Sequence, residues 1–493
     1  MSGGAGGRRA GWLWVLWTLV AAALALGRIP FDVEWFSIEL ALRADSEHFW
    51  NALQRDLHPP FTAMLDRALG RLWPGAEPLH LLRVAESALA LWLLAPVVHR
   101  LGDTPRWWAV ACAFHPIVLF YAGAVRWYPL LLLAHAVRAR AIHHDAPTSP
   151  RAGLLFVGGT ALGSAAGYVD PLFVAHDLVW LGHRARERAL PLHGLAPAAA
   201  GSIAVIAALH LASPLHGGTH ALLPAHLLRW DLQATAAWAL LGVAGETALP
   251  WPLTLTGVLA LIACPWGLIR SWRDPQTRTM ATWTLTYGLA WLAACQFGVS
   301  HPRYSLMLWL LVTTALWPLL RAEGAGRVMA VAALAHLALG VALVVMQRGF
   351  FRADLNGIAA PVCVEMAELR DADLVIVPHP RLAMQIRDAC ELDLPVTQVP
   401  LVRIWNDAQQ QLAGIAPRLR AARVVWMLQV TSTSSLAITR ERIRRRLTRR
   451  CTRTRWQAFG AAPHADLKRT LSGTTARHRF AKERWDCDPS RPP

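Results

Sequence analysis

Eleven separate stretches of this chain are apolar for long enough to approach the width of a bilayer, and short, mostly arginine-bearing turns separate many of them. They run roughly over residues 11–27, 79–98, 107–123, 127–142, 152–168, 171–182, 195–212, 251–268, 280–298, 304–320 and 328–346. Nothing else in the sequence restricts the fold as much. A spanning helix needs about 20 mostly apolar residues. A backbone in hydrocarbon must also satisfy its own hydrogen bonds, which leaves helices or closed barrels. The 54% hydrophobic content exceeds the roughly 45–50% usual for soluble domains. The expectation is an all-α polytopic membrane protein of about eleven spans. Segment 171–182 is the weakest of them. Segment 234–249 carries Glu246 and is read as an interfacial helix, because eleven spans then give a consistent alternation of charge.

That alternation sets orientation, since cytoplasmic loops are enriched in Lys and Arg. With a cytoplasmic N-terminus, fifteen arginines fall inside, including Arg138 and Arg140, against Arg126, Arg229 and Arg303 in the outer loops after the third span. The first apolar run reads as an uncleaved anchor, although Ala23-Leu24-Ala25 resembles a signal-peptide cleavage site. Either way, loop 28–78 and everything after residue 346 lie outside the cytoplasm. The expected localisation is the plasma (inner) membrane.

Three parts follow from this: a membrane domain over 1–346 with its loop 28–78, a soluble α/β domain over 347–435, and a basic, partly disordered tail over 436–493. β-Branched runs in "DADLVIVPHP", "LPVTQVPLV" and "RVVWMLQV" predict strands. "RERIRRRLTRRCTRTR" places nine arginines in sixteen residues, with Ile443, Leu447 and Cys451 every fourth residue. This is the pattern of a basic amphipathic helix suited to anionic lipid headgroups. Nucleic acid fits the charge but not the compartment. Cys112, Cys264 and Cys295 lie in apolar runs and read as core residues. The other four cysteines lie in the polar C-terminal region, where oxidation permits three pairings and a Cys363–Cys390 bridge is geometrically reasonable.

Loop 28–78 holds eight acids. Solvation of a loop accounts for Glu39, Asp45, Glu47 and Asp66. Asp32 and Glu34 are different, because they stand just beyond the first span, where an idle carboxylate is costly. Residues 34–53 read as one surface helix, and Pro59-Pro60 as a stop that holds the chain extended. An interfacial aromatic belt explains Tyr121 and Tyr168. Arg126 with Tyr128, and Arg303 with Tyr304, occupy very short turns, where an arginine can fork onto a phosphate. Glu86 and Asp177 are acids inside apparent spans.

Taken together, "FDVEWFS" after the first span, "DLHPPF" some twenty residues later, "AVRWY" between the third and fourth spans and "HPRYS" at the head of a late span resemble the GT-C membrane glycosyltransferases. The likeness is to the bacterial relatives of the protein O-mannosyltransferases (glycosyltransferase family 39) and of the lipid A aminoarabinose transferase. It covers about residues 12–346. Here Asp32-Val33-Glu34 replaces the family's adjacent acid pair, and Val125 stands where that turn often has an acid.

The resemblance implies an inverting transfer of a hexosyl or pentosyl group from a polyprenyl-phosphate sugar to an extracytoplasmic lipid, glycan or protein. A membrane-bound donor needs no nucleotide loop, and the sequence has no G-x-G-x-x-G or Walker pattern. Asp32 or Glu34 would be the general base. Arg126, Tyr128, Arg303 and Tyr304 would receive the donor phosphate. Asp56 and His58 would orient the acceptor or ligate a divalent metal such as manganese or zinc. The competing class is a lipid or solute transporter or flippase, which typically shows internal repeats. None is evident here.

Overall fold

The computed structural model describes residues 3–27, 32–42, 44–55, 59–167, 170–212, 251–295 and 306–345, and then 369, 372–377, 396–398, 417, 419–430, 443–445, 447–459 and 480–488. It forms two compact units, Met1–Arg28 with Ser37–Phe351, and Ile29–Phe36 with Arg352–Pro493.

The described helices are α1 (Gly3–Gly27), α2 (Asp32–Leu42), α3 (Ser46–Arg55), α4 (Phe61–Leu72), α5 (Glu77–Gly102), α6 (Arg106–Cys112), α7 (Pro116–Tyr121), α8 (Tyr128–Ile142), α9 (Pro150–Ala166), α10 (Asp170–Glu187), α11 (Ala196–Ala212), α12 (Trp251–Arg273), α13 (Arg278–Cys295), α14 (Leu306–Thr314), α15 (Trp317–Leu320) and α16 (Ala325–Val345). Among them, four stretches are long and apolar enough to cross a bilayer by length and composition: Arg8–Leu26, Glu77–Gly102, Leu192–Leu209 and Ala325–Ala342. Trp12, Trp92, Ile203 and Val328 are exposed on these stretches, a surface that suits a lipid solvent.

The other expected spans also fall on helices, some shorter and some broken. Segment 107–123 divides into α6 and α7, because Pro116 has no amide to continue the ladder. The His115 ring then caps the new start by accepting from the Ile117 amide at 3.2 Å. Segment 304–320 divides in the same way between α14 and α15, where Pro318 sits in the first turn. The interfacial helix expected over 234–249 lies outside the described residues.

α8 and α10 carry charges that hydrocarbon would reject singly, and the fold pairs them. Arg138 forks onto Asp170 (2.8 and 3.0 Å), and its Nε donates to Asp177 at 2.7 Å and Nη1 to the Gly159 carbonyl at 3.1 Å. His176 Nδ1 lies 2.9 Å from Asp177 Oδ1, and its Nε2 lies 2.9 Å from the Thr286 hydroxyl, which also accepts from Trp180. Tyr287 hydrogen-bonds His135. Gly159 and Gly163 make the close approach possible. A Cβ on Gly159 would lie 2.7 Å from Arg138 Cγ, and one on Gly163 would collide with the Asp170 carboxylate. Arg138 is therefore not a loop arginine, as the orientation argument had it. Without it the inside count is fourteen, still far above three.

The described residues of loop 28–78 are mostly helical, but not as one rod. α2 ends at Leu42 and α3 starts at Ser46. Arg67 of α4 holds the break, donating to the carbonyls of Leu40 (3.1 Å) and Ala44 (2.8 Å), with its guanidinium 4.4 Å from the Phe49 ring centroid. A cation on the last carbonyls of a helix satisfies acceptors that would otherwise be orphaned. Pro60 does not prolong an extended chain. Its backbone is helical (φ −71°, ψ −15°), it stands at the N-cap of α4, and its carbonyl accepts from Met64 at 2.9 Å.

The second unit holds a five-stranded mixed sheet in the order β2-β1-β3-β5-β4. Its strands are β1 (Leu374–Val377), β2 (Val396–Gln398), β3 (Val424–Val430), β4 (Cys451–Phe459) and β5 (Phe480–Cys487). β2, β1 and β3 are parallel, whereas β5 and β4 are antiparallel additions. Asp373 ties β1 to β3 by accepting from the amides of Arg423 and Val424 at 2.8 and 2.9 Å. These amides hold its carboxyl below the usual carboxylate range. Leu374, Ile376, Val425, Met427 and Trp485 form one core with Ile443 and Leu447.

Two corrections arise in this unit. Ile443, Leu447 and Cys451 do share a face, but it is buried in this core and is not a membrane-facing stripe. The helical stretch also ends before Cys451, which opens β4. Residues 451–459 and 480–487 are strands inside the region expected to be a partly disordered tail. Cys451 and Cys487 form a disulfide between partnered positions of β4 and β5. This is half of the pairing that would join Cys363 to Cys390, which lie outside the described residues. Cys451→Ser is expected to destabilise the C-terminal unit by about 2–4 kcal/mol. A lowered thermal midpoint, reproduced in wild type by reductant, checks this. An unchanged midpoint in both experiments would show the bridge to be dispensable.

Candidate active site

One end of the helical unit gathers the end of α1, the start of α5 and the turn from α7 to α8. Residues 122–127 form that turn, and three helices hold it. A Cβ on Gly123 would collide with Ala25 of α1 and lie 3.1 Å from Val84 of α5. Only glycine lets the chain pass so close. On α5, His80 Nδ1 lies 2.7 Å from the Gly123 carbonyl, and the Ser87 hydroxyl donates to the Ala122 carbonyl at 3.0 Å. Val125 packs with Ile38 and Ala41 of α2 and Leu79 of α5.

This setting fixes Arg126. It is 9% exposed and donates to the Ser37 hydroxyl at 3.1 Å. Its Nε has no hydrogen-bond acceptor among the described residues. A buried guanidinium with unspent donors is suited to an anion. Tyr128, the first residue of α8, is buried, with its ring edge-on to Tyr121 at 5.6 Å.

α2 begins at Asp32, so Asp32 and Glu34 both stand in its first turn, where the helix dipole favours carboxylates. Glu34 is fully buried. It precedes Ser37 by three residues on α2, which is one helical turn. A capping role at the third helical position is the ordinary structural explanation of a glutamate there. The side chain of Asp32 is not described. Asp56, His58, Arg303 and Tyr304 lie outside the described residues. Among the described residues, no three His, Cys, Asp or Glu side chains cluster as a metal site.

Asp66 and Arg83 gain a place here only from the fold, joining Glu86, the acid inside an apparent span. Asp66, taken from the sequence as a solvated acid, is 1% exposed and ion-paired to Arg83. Arg83 also donates to both oxygens of Glu86, at 2.6 and 2.8 Å. Asp45 and Glu47, by contrast, are exposed as expected. Burial pushes the Asp66 carboxyl above its usual range, against the pull of Arg83 and Arg126. The available signal was Arg83 and Glu86 three residues apart in an apolar run. That spacing announces a pair on one helix face, but not its third member on another helix.

No family model and no curated protein matches the chain. A solved structure does. ArnT from Cupriavidus metallidurans, crystallised bound to undecaprenyl phosphate, aligns over 98% of this chain and 98% of its own, with a TM-score of 0.50 and 13% identity. The chain has the GT-C membrane fold. This is the fold that the motif order implied, and at 13% identity the likeness is one of architecture. ArnT is a lipid A aminoarabinose transferase. The alignment includes the C-terminal portion of both chains, so the GT-C likeness extends beyond the helical region.

Proposed function

We propose that this protein is a membrane glycosyltransferase that uses a polyprenyl-phosphate-linked sugar and transfers it to an acceptor outside the cytoplasm. The observation that carries the reading is the end-to-end likeness to ArnT, a structure that holds undecaprenyl phosphate. The buried Arg126, whose Nε–H has no acceptor among the described residues, supports it at the position where the motif order puts a donor-phosphate residue. In this reading Asp32 or Glu34 removes the proton from the acceptor hydroxyl as its oxygen attacks the anomeric carbon. The bond to the phosphate oxygen breaks on the opposite face, and the departing lipid phosphate gains charge that Arg126 offsets. Asp56, His58, Arg303, Tyr304 and Tyr128 keep the roles that the resemblance implies, including the option of a divalent metal at the first two. The Cys451–Cys487 bridge supports an extracytoplasmic C-terminal unit, since disulfides persist in oxidising compartments.

The transporter reading has one observation in its favour, the charges buried between α8 and α10, because intramembrane ionisable groups often mark transport paths. Here Arg138 pairs with both acids and His176 holds the other Asp177 oxygen, an arrangement better suited to joining helices than to passing a solute. Comparison of envelope glycans and glycolipids by mass spectrometry, with and without the protein, separates the readings. A species lacking one hexose or pentose unit in the deletion, restored by the wild-type chain, is expected. An unchanged glycan profile together with lost movement of a lipid or solute would establish the transporter.

A further inference from the structure

We infer that Asp66, held by Arg83 and Glu86, is a positioning residue for Arg126 and thereby sets the affinity of the site for a lipid-linked phosphate. This deepens the glycosyltransferase reading and rests on it.

The geometry begins on α5. His80, Arg83, Val84 and Ser87 lie at helical spacing on one face. His80, Val84 and Ser87 each touch the 122–127 turn that carries Arg126. Arg83 stands between them, fully buried, and spends its charge sideways on Asp66 of α4 and Glu86 of α5. The α5 face that holds the 122–127 turn therefore carries a buried ion cluster.

Charge accounting gives the cluster its purpose. Asp66 and Glu86 are two carboxylates against one guanidinium, so when both are ionised the cluster carries a net negative charge. Burial raises the Asp66 carboxyl above its usual range, and Arg83 first and then Arg126 oppose that rise. A single hydroxyl, that of Ser37, accepts from the Arg126 guanidinium among the described hydrogen bonds. In this proposal attraction toward Asp66 holds the Arg126 guanidinium without consuming all of its donors. The unspent Nε–H is then available to a phosphate oxygen. A structural ion pair alone would explain Arg83 and Glu86. It would not explain a second acid brought from α4, beside the turn that carries the arginine.

Asp66 touches no substrate in this scheme, so its effect must pass through Arg126. The test is a double-mutant cycle with Asp66→Asn and Arg126→Gln in full-length protein in detergent. It reads equilibrium binding of undecaprenyl phosphate, the thermal midpoint and, once a sugar donor is known, donor KM against kcat. Asp66→Asn should weaken lipid-phosphate binding by about tenfold, the scale of coupling between groups that share partners. In the Arg126→Gln background the same change should move binding by less than about twofold. Asp66→Glu should recover most of the loss, and donor KM should move more than kcat. An equal loss in both backgrounds, or binding that tightens when the acid is removed, would overturn the inference and leave Asp66 a structural residue. If Asp66→Asn does not fold, Glu86→Gln, which keeps the Asp66–Arg83 pair, is expected to weaken binding by a smaller factor that also disappears without Arg126. Wild-type protein that binds no polyprenyl phosphate would sink the glycosyltransferase reading itself, an outcome distinct from a wild type that binds while the cycle shows no coupling.

Discussion

Glu34→Gln and Asp32→Asn, made separately, are expected to differ sharply from wild type in sugar transfer, with at least one losing about a hundredfold or more in turnover, the usual scale for a general base. Both changes are near-isosteric and remove the negative charge, and with it the ability to take a proton. Both residues stand in the first turn of α2, and Glu34 is wholly buried. A buried glutamate at the third helical position has a structural use as well, so the assay needs a partner measurement. Binding of undecaprenyl phosphate and the thermal midpoint should hold in the variant that loses turnover. A capping role predicts the reverse, a fall in midpoint of the size of a lost cap, about 0.5–2 kcal/mol, with turnover nearly intact. Near-normal transfer in both variants would remove the pair from the chemistry.

Arg138→Met is expected to have the largest effect on folding of any single substitution in the helical unit. Arg138 pairs with Asp170 and Asp177 through three hydrogen bonds and makes a fourth to the Gly159 carbonyl. It lies ten residues into α8, about 15 Å from that helix's start. Removing it strands two carboxylates between helices, and breaking a buried pair costs roughly 3–5 kcal/mol. The yield of protein that stays monodisperse in detergent, and its thermal midpoint, report the loss. Exchanging the whole cluster for neutral groups should cost far less, as replacing a complete buried ion pair is often close to neutral. The triple variant Arg138→Met, Asp170→Asn, Asp177→Asn should therefore be more stable than Arg138→Met alone. If the single variant matched wild type, or the triple fell below it, the charges would not be paired as described.

How far each feature could be read in advance depended on whether its cause is local. Among the described residues each of the eleven apolar runs meets a helix, because apolar length and missing amides act within a few residues. The same locality made the order of "FDVEWFS", "DLHPPF", "AVRWY" and "HPRYS" readable as a GT-C pattern, and the fold agrees with it. β1, β2 and β3 were legible from their Val and Ile runs. β4 and β5 were not, because "CTRTRWQAF" and "FAKERWDC" are dense in charge. They can be strands because partners distant in sequence remove the cost. Glu483 receives Arg444 and the Trp485 indole, and the Lys482 ammonium sits 5.6 Å from the Trp426 ring centroid.

The sequence by itself determined that the chain is helical, apolar and suited to a bilayer, and that acids and arginines collect near the ends of its runs. Composition and spacing govern those outcomes directly. Only the tertiary structure decided which of these charges are spent. Asp66 looks like any loop acid until α4 lays it against Arg83, and Arg138 looks like a loop arginine until Gly159 and Gly163 let α8 and Asp170 close on each other. A charge is solvated, paired or free according to what lies within a few ångströms of it. In this chain those neighbours come from 17 positions away, as with Asp66 and Arg83, or from 39, as with Arg138 and Asp177.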